Sequence, residues 1–143
     1  MTGTAPNPLT PRTVATLHAA MLIGLSVLAV VLIVVLPNLR GLGDRTLFPT
    51  AGLIVLGVGA ALLALALLVL RRAIPARGPN QDEARYWAGK AGAMAILFWF
   101  ATESAGMLGA VAFMLTARFE AVVVAGVAIA TLALFSPRRL ASR

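Results

Sequence analysis

The sequence has 143 residues, of which 60% are hydrophobic and only 12% are charged, and its mean hydropathy is +0.94. Soluble domains carry about 25% charged residues, so the composition excludes an ordinary soluble domain and indicates a chain embedded in a bilayer. The formal charge is +7, yet almost all of the basic residues lie between and after the apolar runs, where we expect them to meet lipid head groups rather than nucleic acid.

The first apolar run covers residues 14–36 and is 23 residues long, enough to cross a membrane as a helix. Cleaved signal peptides have shorter apolar regions of about 7–15 residues, followed by a small-residue cleavage site that is absent here. We therefore expect a retained membrane helix, ended by Pro37. His18 is the only histidine, so it cannot form a metal cluster, and its place near the start of the run predicts an interfacial residue.

Three further spans are predicted at residues 50–70, 91–116 and 119–135, the last being short for a crossing. The linker at residues 71–90 is charged and rich in turn formers. Within it, Asn80 and Glu83 match a helix capping box, which predicts that the third helix starts near Gln81. Tyr86 and Trp87 then fit the aromatic belt found at lipid head groups.

The sequence thus predicts an all-α fold, an integral membrane four-helix bundle that forms a single transmembrane domain over residues 1–143. Of the twelve lysines and arginines, one lies in the amino end, five in the linker and three in the tail, which makes nine on one side. The positive-inside rule places that side in the cytoplasm. We therefore expect a multi-pass protein of the inner (plasma) membrane with both termini cytoplasmic.

Glu103 is an acidic residue in the middle of the third span, 13 residues after Lys90 and 15 before Arg118. At 1.5 Å per residue it lies roughly 20 Å from either end, close to the membrane midplane. A charge at this depth costs about 2.5–3.5 kcal/mol on insertion scales, and no basic residue is expected there to pair with it. We therefore expect Glu103 to be protonated, hydrogen-bonded to a neutral group, hydrated or bound to a cation.

The neighbours of Glu103 define a candidate proton- or ion-binding site. Trp99 and Gly106 lie one turn away on the same helix face, and Thr102 offers a hydroxyl. Counting inwards from the linker places Gly57 of the second span at the level of Glu103 in an antiparallel hairpin.

Small residues of the second span, around Gly57, Ala60 and Ala61, are expected to let the second and third helices approach closely. The same residues are also common at ordinary helix contacts, so they do not identify a binding site by themselves. In either reading, a bulky side chain at Gly57 is expected to disturb the packing.

The hairpin at residues 52–116 resembles the proteolipid c subunits of rotary ATP synthases. These subunits have a glycine-containing helix, a polar loop with arginine and a carboxylate midway along the second helix. Glu103 in the segment ATESAGMLGAVAFMLT stands at the place of that carboxylate, and Gly57 and Gly59 are weak counterparts of the glycine row. The arginine-glutamine-proline motif of the family's loop is absent, and Arg77–Gly78–Pro79 only resembles it. The resemblance covers roughly 65 of 143 residues and implies that Glu103 binds a proton within the membrane.

A second resemblance is to the small multidrug resistance exporters, four-helix chains with one membrane-embedded glutamate, which in that family lies in the first helix. It implies that Glu103 binds a lipophilic cation, for which Trp99 could supply an aromatic face. Packing within a helix pair is the other reading of this tryptophan.

The sequence contains no cysteine, nucleophile–base pair, metal cluster or phosphate loop, so we expect neither an enzyme nor a cofactor or metal site. Two functions stay open for this small four-span bacterial membrane protein. In the first, it is a structural or accessory subunit of a larger membrane complex. In the second, it moves protons or cations through Glu103 as a homo-oligomer, since four short helices enclose little cavity alone. The lipid bilayer is the partner in both.

Overall fold

The computed structural model describes residues 9–35 and 49–142, and all regular structure in these residues is helical, as predicted. Two helices continue beyond their α-helical part: α1 through a π-helical turn to Val35, and α2 through a similar turn to Ala73. The helices are α1 (Pro11–Val30), α2 (Pro49–Leu65), α3 (Glu83–Ala88), α4 (Lys90–Thr116), α5 (Phe119–Leu134) and α6 (Pro137–Ala141).

Three helical segments are long and apolar enough to cross a membrane: Pro11–Val35 with 25 residues, Thr50–Ala73 with 24 and Lys90–Thr116 with 27. Their length and composition indicate a membrane protein. The predicted end of the first span, at residues 36 and 37, lies outside the described residues. α5 is apolar but has 16 residues, about 24 Å of helix against a hydrocarbon core of roughly 30 Å. Its crossing stays a prediction.

α4 is the central helix, with 13 of its 27 residues buried. Most of the buried residues are alanine or glycine, and their short side chains let the neighbouring helices approach its backbone. α2, α5 and α1 all pack against α4, so its small-residue faces hold the fold together.

α2 runs antiparallel to α4 and approaches it closely at Gly59. A Cβ added to Gly59 would lie 3.1 Å from Leu108 Cβ and 3.2 Å from the carbonyl oxygen of Ala105. Gly57 instead faces outward, where an added Cβ would meet no atom within 4 Å. The prediction that Gly57 packs beside Glu103 is therefore wrong.

The error comes from the register of the hairpin. Gly59 lies opposite Leu108. Glu103 precedes Leu108 by five residues, and because the two helices are antiparallel, the residue of α2 at the level of Glu103 follows Gly59 by five residues and is Ala64. The prediction counted residues back from Arg71 and forward from Lys90. It thus assumed that the carboxyl end of α2 and the amino end of α4 lie at the same height. In the structure α2 continues to Ala73, and the first turn of α4 extends beyond it.

The close contact is likewise absent at the two alanines expected to share it with Gly57. Ala60 and Ala61 are both exposed on α2, as Gly57 is. The general expectation that small residues bring α2 and α4 together is confirmed, but Gly52 and Gly59 serve that purpose.

α5 folds back along α4 after a short turn at Ala117 and Arg118. Ala117 has a left-handed backbone (φ 53°), and its N–H donates a 2.7 Å hydrogen bond to Phe113 O, which closes the end of α4. The two helices then touch at Gly109, where an added Cβ would lie 2.9 Å from the backbone nitrogen of Ala125. This contact leaves no room for a side chain.

The linker differs from its prediction in two respects. The predicted capping box is absent: the short α3 begins at Glu83, two residues after Gln81, and its N-cap residue is Asp82, which makes no side-chain cap. Gly89 then separates α3 from α4. Tyr86 and Trp87 are only 2% and 1% exposed, so they pack inward rather than form a lipid-facing belt. The phenol of Tyr86 donates to the carbonyl of Pro75 at 3.0 Å, which folds the linker back on itself.

The amino end of α1, the linker and the carboxyl tail meet at one end of the helices. His18 of α1 is hydrogen-bonded through Nε2 to the carbonyl oxygen of Leu132 at 2.8 Å. The guanidinium of Arg71, at the end of α2, lies 4.5 Å above the ring of Phe135. Buried Leu140 holds the short α6 against the same region.

Candidate functional site

Glu103 is the fourteenth of the 27 residues of α4, so it lies at the middle of the helix as predicted. Its side chain is half-buried at the margin of α1, and a Cβ added to Gly24 would lie 3.8 Å from its Oε1 atom. Within residues 9–35 and 49–142, no hydrogen bond or ion pair to this carboxyl group is found. A carboxyl at mid-helix therefore faces outward beside α1 without a partner from the described chain.

Two hydroxyl groups that could pair with Glu103, those of Thr102 and Ser26, are engaged elsewhere. Thr102 is fully buried, and its Oγ1 donates a 2.8 Å hydrogen bond to the carbonyl of Phe98 in its own helix. Ser26 donates in the same way to Leu22 O at 2.7 Å. Each hydroxyl thus donates its hydrogen bond to a backbone carbonyl one turn earlier in its own helix, as serine and threonine commonly do.

Trp99 belongs to the interior rather than to a ligand site. Its ring is completely buried, and its Nε1 donates to the carbonyl of Phe135 at 2.8 Å. The ring of His18 meets it edge-on, with centroids 4.9 Å apart. A fully buried indole has no open face for a lipophilic cation, so Trp99 packs α1, α4 and α5 together.

His18 is a core residue and not the interfacial residue that was predicted. It is 6% exposed and hydrogen-bonded to the carbonyl of Leu132 in the last turn of α5, while Trp99 donates to the carbonyl of Phe135, the residue that caps α5. A helix leaves its final carbonyls without intrahelical partners, so these two side chains complete the end of α5. The sequence gives little indication of this role, because the hydrogen bonds join residues that are far apart in the chain. His18 and Leu132 are 114 positions apart, and Trp99 and Phe135 are 36 positions apart.

Gly106 lies in the packed centre, where α1, α4 and α5 meet. A Cβ added there would be 2.6 Å from Leu25 Cδ2 and 2.9 Å from Ala128 Cβ. Its role is therefore to permit close packing, and it contributes no ligand group. Of the predicted site residues, only Glu103 faces outward on α4, and the structure adds Gly24, which sequence reasoning missed.

We call the surface around the carboxyl group the Glu103 face, formed by Ala20, Gly24, Phe100, Glu103 and Met107. Phe100 and Met107 lie one turn to either side of Glu103 on α4 and are 59% and 37% exposed. Ala20 and Gly24 are exposed on α1, four residues apart. The pairing of two small residues at that spacing was the available sequence signal for a helix-contact surface.

Comparisons with family models, curated proteins and solved structures give no match for this chain. The resemblances to c subunits and to small multidrug exporters thus stay predictions from the sequence. The Glu103 face itself offers a protonatable oxygen pair next to the exposed small residues of α1, Ala20 and Gly24. Such a group can bind a proton, or it can hydrogen-bond a polar side chain that another helix brings to it.

Proposed function

We propose that the protein is a structural or accessory subunit of a larger membrane complex, and that another membrane helix binds at the Glu103 face. The observation that supports this is the unpartnered, half-buried carboxyl group at the middle of α4. In hydrocarbon, an unsatisfied polar group costs several kcal/mol. A helix from another chain, carrying a polar side chain at this depth, would remove that cost.

The small residues on the outward surfaces support the same proposal. Gly24 on α1 and Gly57 on α2 are both exposed: an added Cβ would meet no atom within 4 Å at Gly57, and at Gly24 it would meet Glu103 Oε1 at 3.8 Å. Membrane helices associate through such surfaces because they gain packing contacts when backbones approach closely. Lipid alone does not require small residues at these positions.

Cysteine crosslinking in native membranes tests the proposal with little background, because the chain contains no cysteine. Phe100→Cys places a thiol on the Glu103 face, and we expect a bifunctional maleimide to join it to a second copy or to a larger partner. The same replacement at Val127, which is exposed on α5 away from this face, serves as the control and should stay uncrosslinked.

The result is read as the mass of the crosslinked species in native membranes. A band at the mass of the monomer for both variants, across a range of reagent lengths, would contradict association at the Glu103 face. Equal crosslinking at both positions would indicate random collision in the membrane and would contradict it as well.

A second candidate function is proton- or cation-coupled transport through Glu103 by an oligomer. The same observation favours it. A carboxyl group that faces outward at mid-membrane needs another subunit or water to complete a path for the proton, and an oligomer would supply that subunit. This candidate agrees with the resemblance to c subunits, whose carboxylate binds a proton in the membrane.

We further propose that α5 is a fourth span and that both termini lie in the cytoplasm at the inner membrane. The meeting of the amino end, linker and tail at one end of the helices supports this arrangement. The nine basic residues of these segments would then all be inside.

Reporter fusions test this topology. A fusion after Arg143 is expected to report the cytoplasm, and one within residues 40–45 the outside, because basic residues retain their segments on the inner side. A fusion at Asn80 in the linker is the internal control and should agree with the one after Arg143. An external carboxyl terminus would rule out the four-span arrangement.

A further inference from the structure

A basic depression lies at the end of the helices where the linker meets the tail. It has a volume of about 220 Å³, and its walls come from the end of α2, the linker and α6. One water molecule needs roughly 10–15 Å³ by the same measure, so the depression accommodates a larger polar group. The lining residues are Arg71, Arg72, Ile74, Pro75, Ala76 and Leu140, and we call it the linker pocket.

The charge of the linker pocket is not neutralised by the described chain. Arg71 and Arg72 form no ion pair there, since the ion pair among residues 9–35 and 49–142 joins Arg118 and Glu120 at the other end. Arg138 and Arg139 add two exposed positive charges on α6, next to Leu140. Like charges gathered at one site repel, and a bound anion relieves this repulsion.

One arginine of the pocket is already held in place. The guanidinium of Arg71 stacks on the ring of Phe135 at 4.5 Å, while buried Leu140 anchors α6 beside it. A side chain fixed before binding loses less conformational freedom when a ligand arrives. Guanidinium groups also match the oxygens of a phosphate in two parallel hydrogen bonds.

The position of the pocket indicates where that phosphate comes from. Arg71 and Arg72 directly follow the apolar segment of α2, at the boundary between hydrocarbon and water. Ile74 and Leu140 give the pocket an apolar edge. We propose that the linker pocket binds a phosphate oxyanion in the form of an anionic phospholipid head group, for which basic pockets between membrane helices are suited.

Lipid binding to the purified full chain in detergent tests the proposal. The apparent Kd for phosphatidylglycerol is compared with those for phosphatidylcholine and for inorganic phosphate. We expect phosphatidylglycerol to bind more tightly than either. Arg72→Gln should weaken its binding about tenfold, because one charge-assisted hydrogen bond contributes an effect of that size.

Arg72 is chosen because it is exposed and supports no contact in the core, whereas the loss of Arg71 would also remove the stacking on Phe135. The control is Arg85→Gln, which removes the same charge from an exposed position of the linker outside the pocket. Its Kd for phosphatidylglycerol should match that of the wild type. Equal weakening by both variants, equal affinity for phosphatidylcholine, or equal affinity for free phosphate would each overturn the proposal.

Discussion

Gly109→Leu is expected to lower the free energy of unfolding by about 3 kcal/mol, because overpacking of a filled contact typically costs about 1–3 kcal/mol and leucine is large. The obstacle is backbone: a Cβ at Gly109 would lie 2.9 Å from the nitrogen of Ala125 and 3.0 Å from the carbonyl oxygen of Ala121. Backbone atoms of α5 cannot rotate away as a side chain can, so the two helices must separate.

The matched control is Gly57→Leu, the same replacement in another membrane helix. No atom lies within 4 Å of an added Cβ at Gly57, and leucine forms helices better than glycine by nearly 1 kcal/mol. We expect the stability of this variant in detergent to equal or exceed that of the wild type. This reverses the expectation from the sequence, in which Gly57 was placed against α4.

Thermal unfolding in detergent, followed by circular dichroism, measures the difference. If Gly109→Leu fails to fold at all, Gly109→Ala gives the same comparison with a smaller group, against Gly126→Ala at an open position of α5. Similar losses at the packed and open glycines would show that the α4–α5 contact is not the one described.

Replacement of Glu103 is expected to separate the two proposed functions. If the carboxyl group binds a polar group of another helix, Glu103→Gln keeps the hydrogen bond and the crosslinking through Phe100→Cys. Glu103→Leu should then reduce that crosslinking about tenfold, since a stranded polar partner costs roughly 1–3 kcal/mol. If Glu103 carries protons, Glu103→Gln instead abolishes proton flux in proteoliposomes while the assembly remains intact.

Carbodiimide labelling gives an independent measurement of Glu103. The reagent modifies protonated carboxyl groups that it reaches from lipid, and the outward-facing, unpaired position of Glu103 predicts labelling. Glu120 is the internal control, because its carboxylate is paired with Arg118 at 2.9 Å and exposed to solvent. No labelling of Glu103, together with a Gln variant and a Leu variant that both match the wild type, would contradict both proposed functions.

The sequence by itself determined the elements that depend on local properties. Long apolar runs predict membrane helices because hydrocarbon requires internally satisfied backbones, and three such helices are present. The central depth of Glu103 follows from counting residues along one helix, and the structure places it at the middle of α4. The stop of α4 before Arg118 is equally local, since a turn of two residues is enough to reverse the chain.

The tertiary structure decided which faces of those helices meet. Membrane helices are apolar on all sides, so no amphipathic pattern marks the inward face, and small residues occur on both the packed and the outward surfaces. Gly59 and Gly109 therefore look like Gly57 and Gly24 in the sequence, yet the first two touch neighbouring backbones and the last two face outward.

The level of one helix against another also depends on the whole linker and not on its length alone. The linker contains the short α3 and a break at Gly89, which a count of residues does not include, and in the folded chain Gly59 lies opposite Leu108 while Gly57 faces outward. In the structure the glycine next to Glu103 is Gly24 of α1. Gly24 lies far from Glu103 along the chain, so counting residues cannot predict this contact. Contacts between distant segments depend on how every helix packs at once, and that information exists only in the folded molecule.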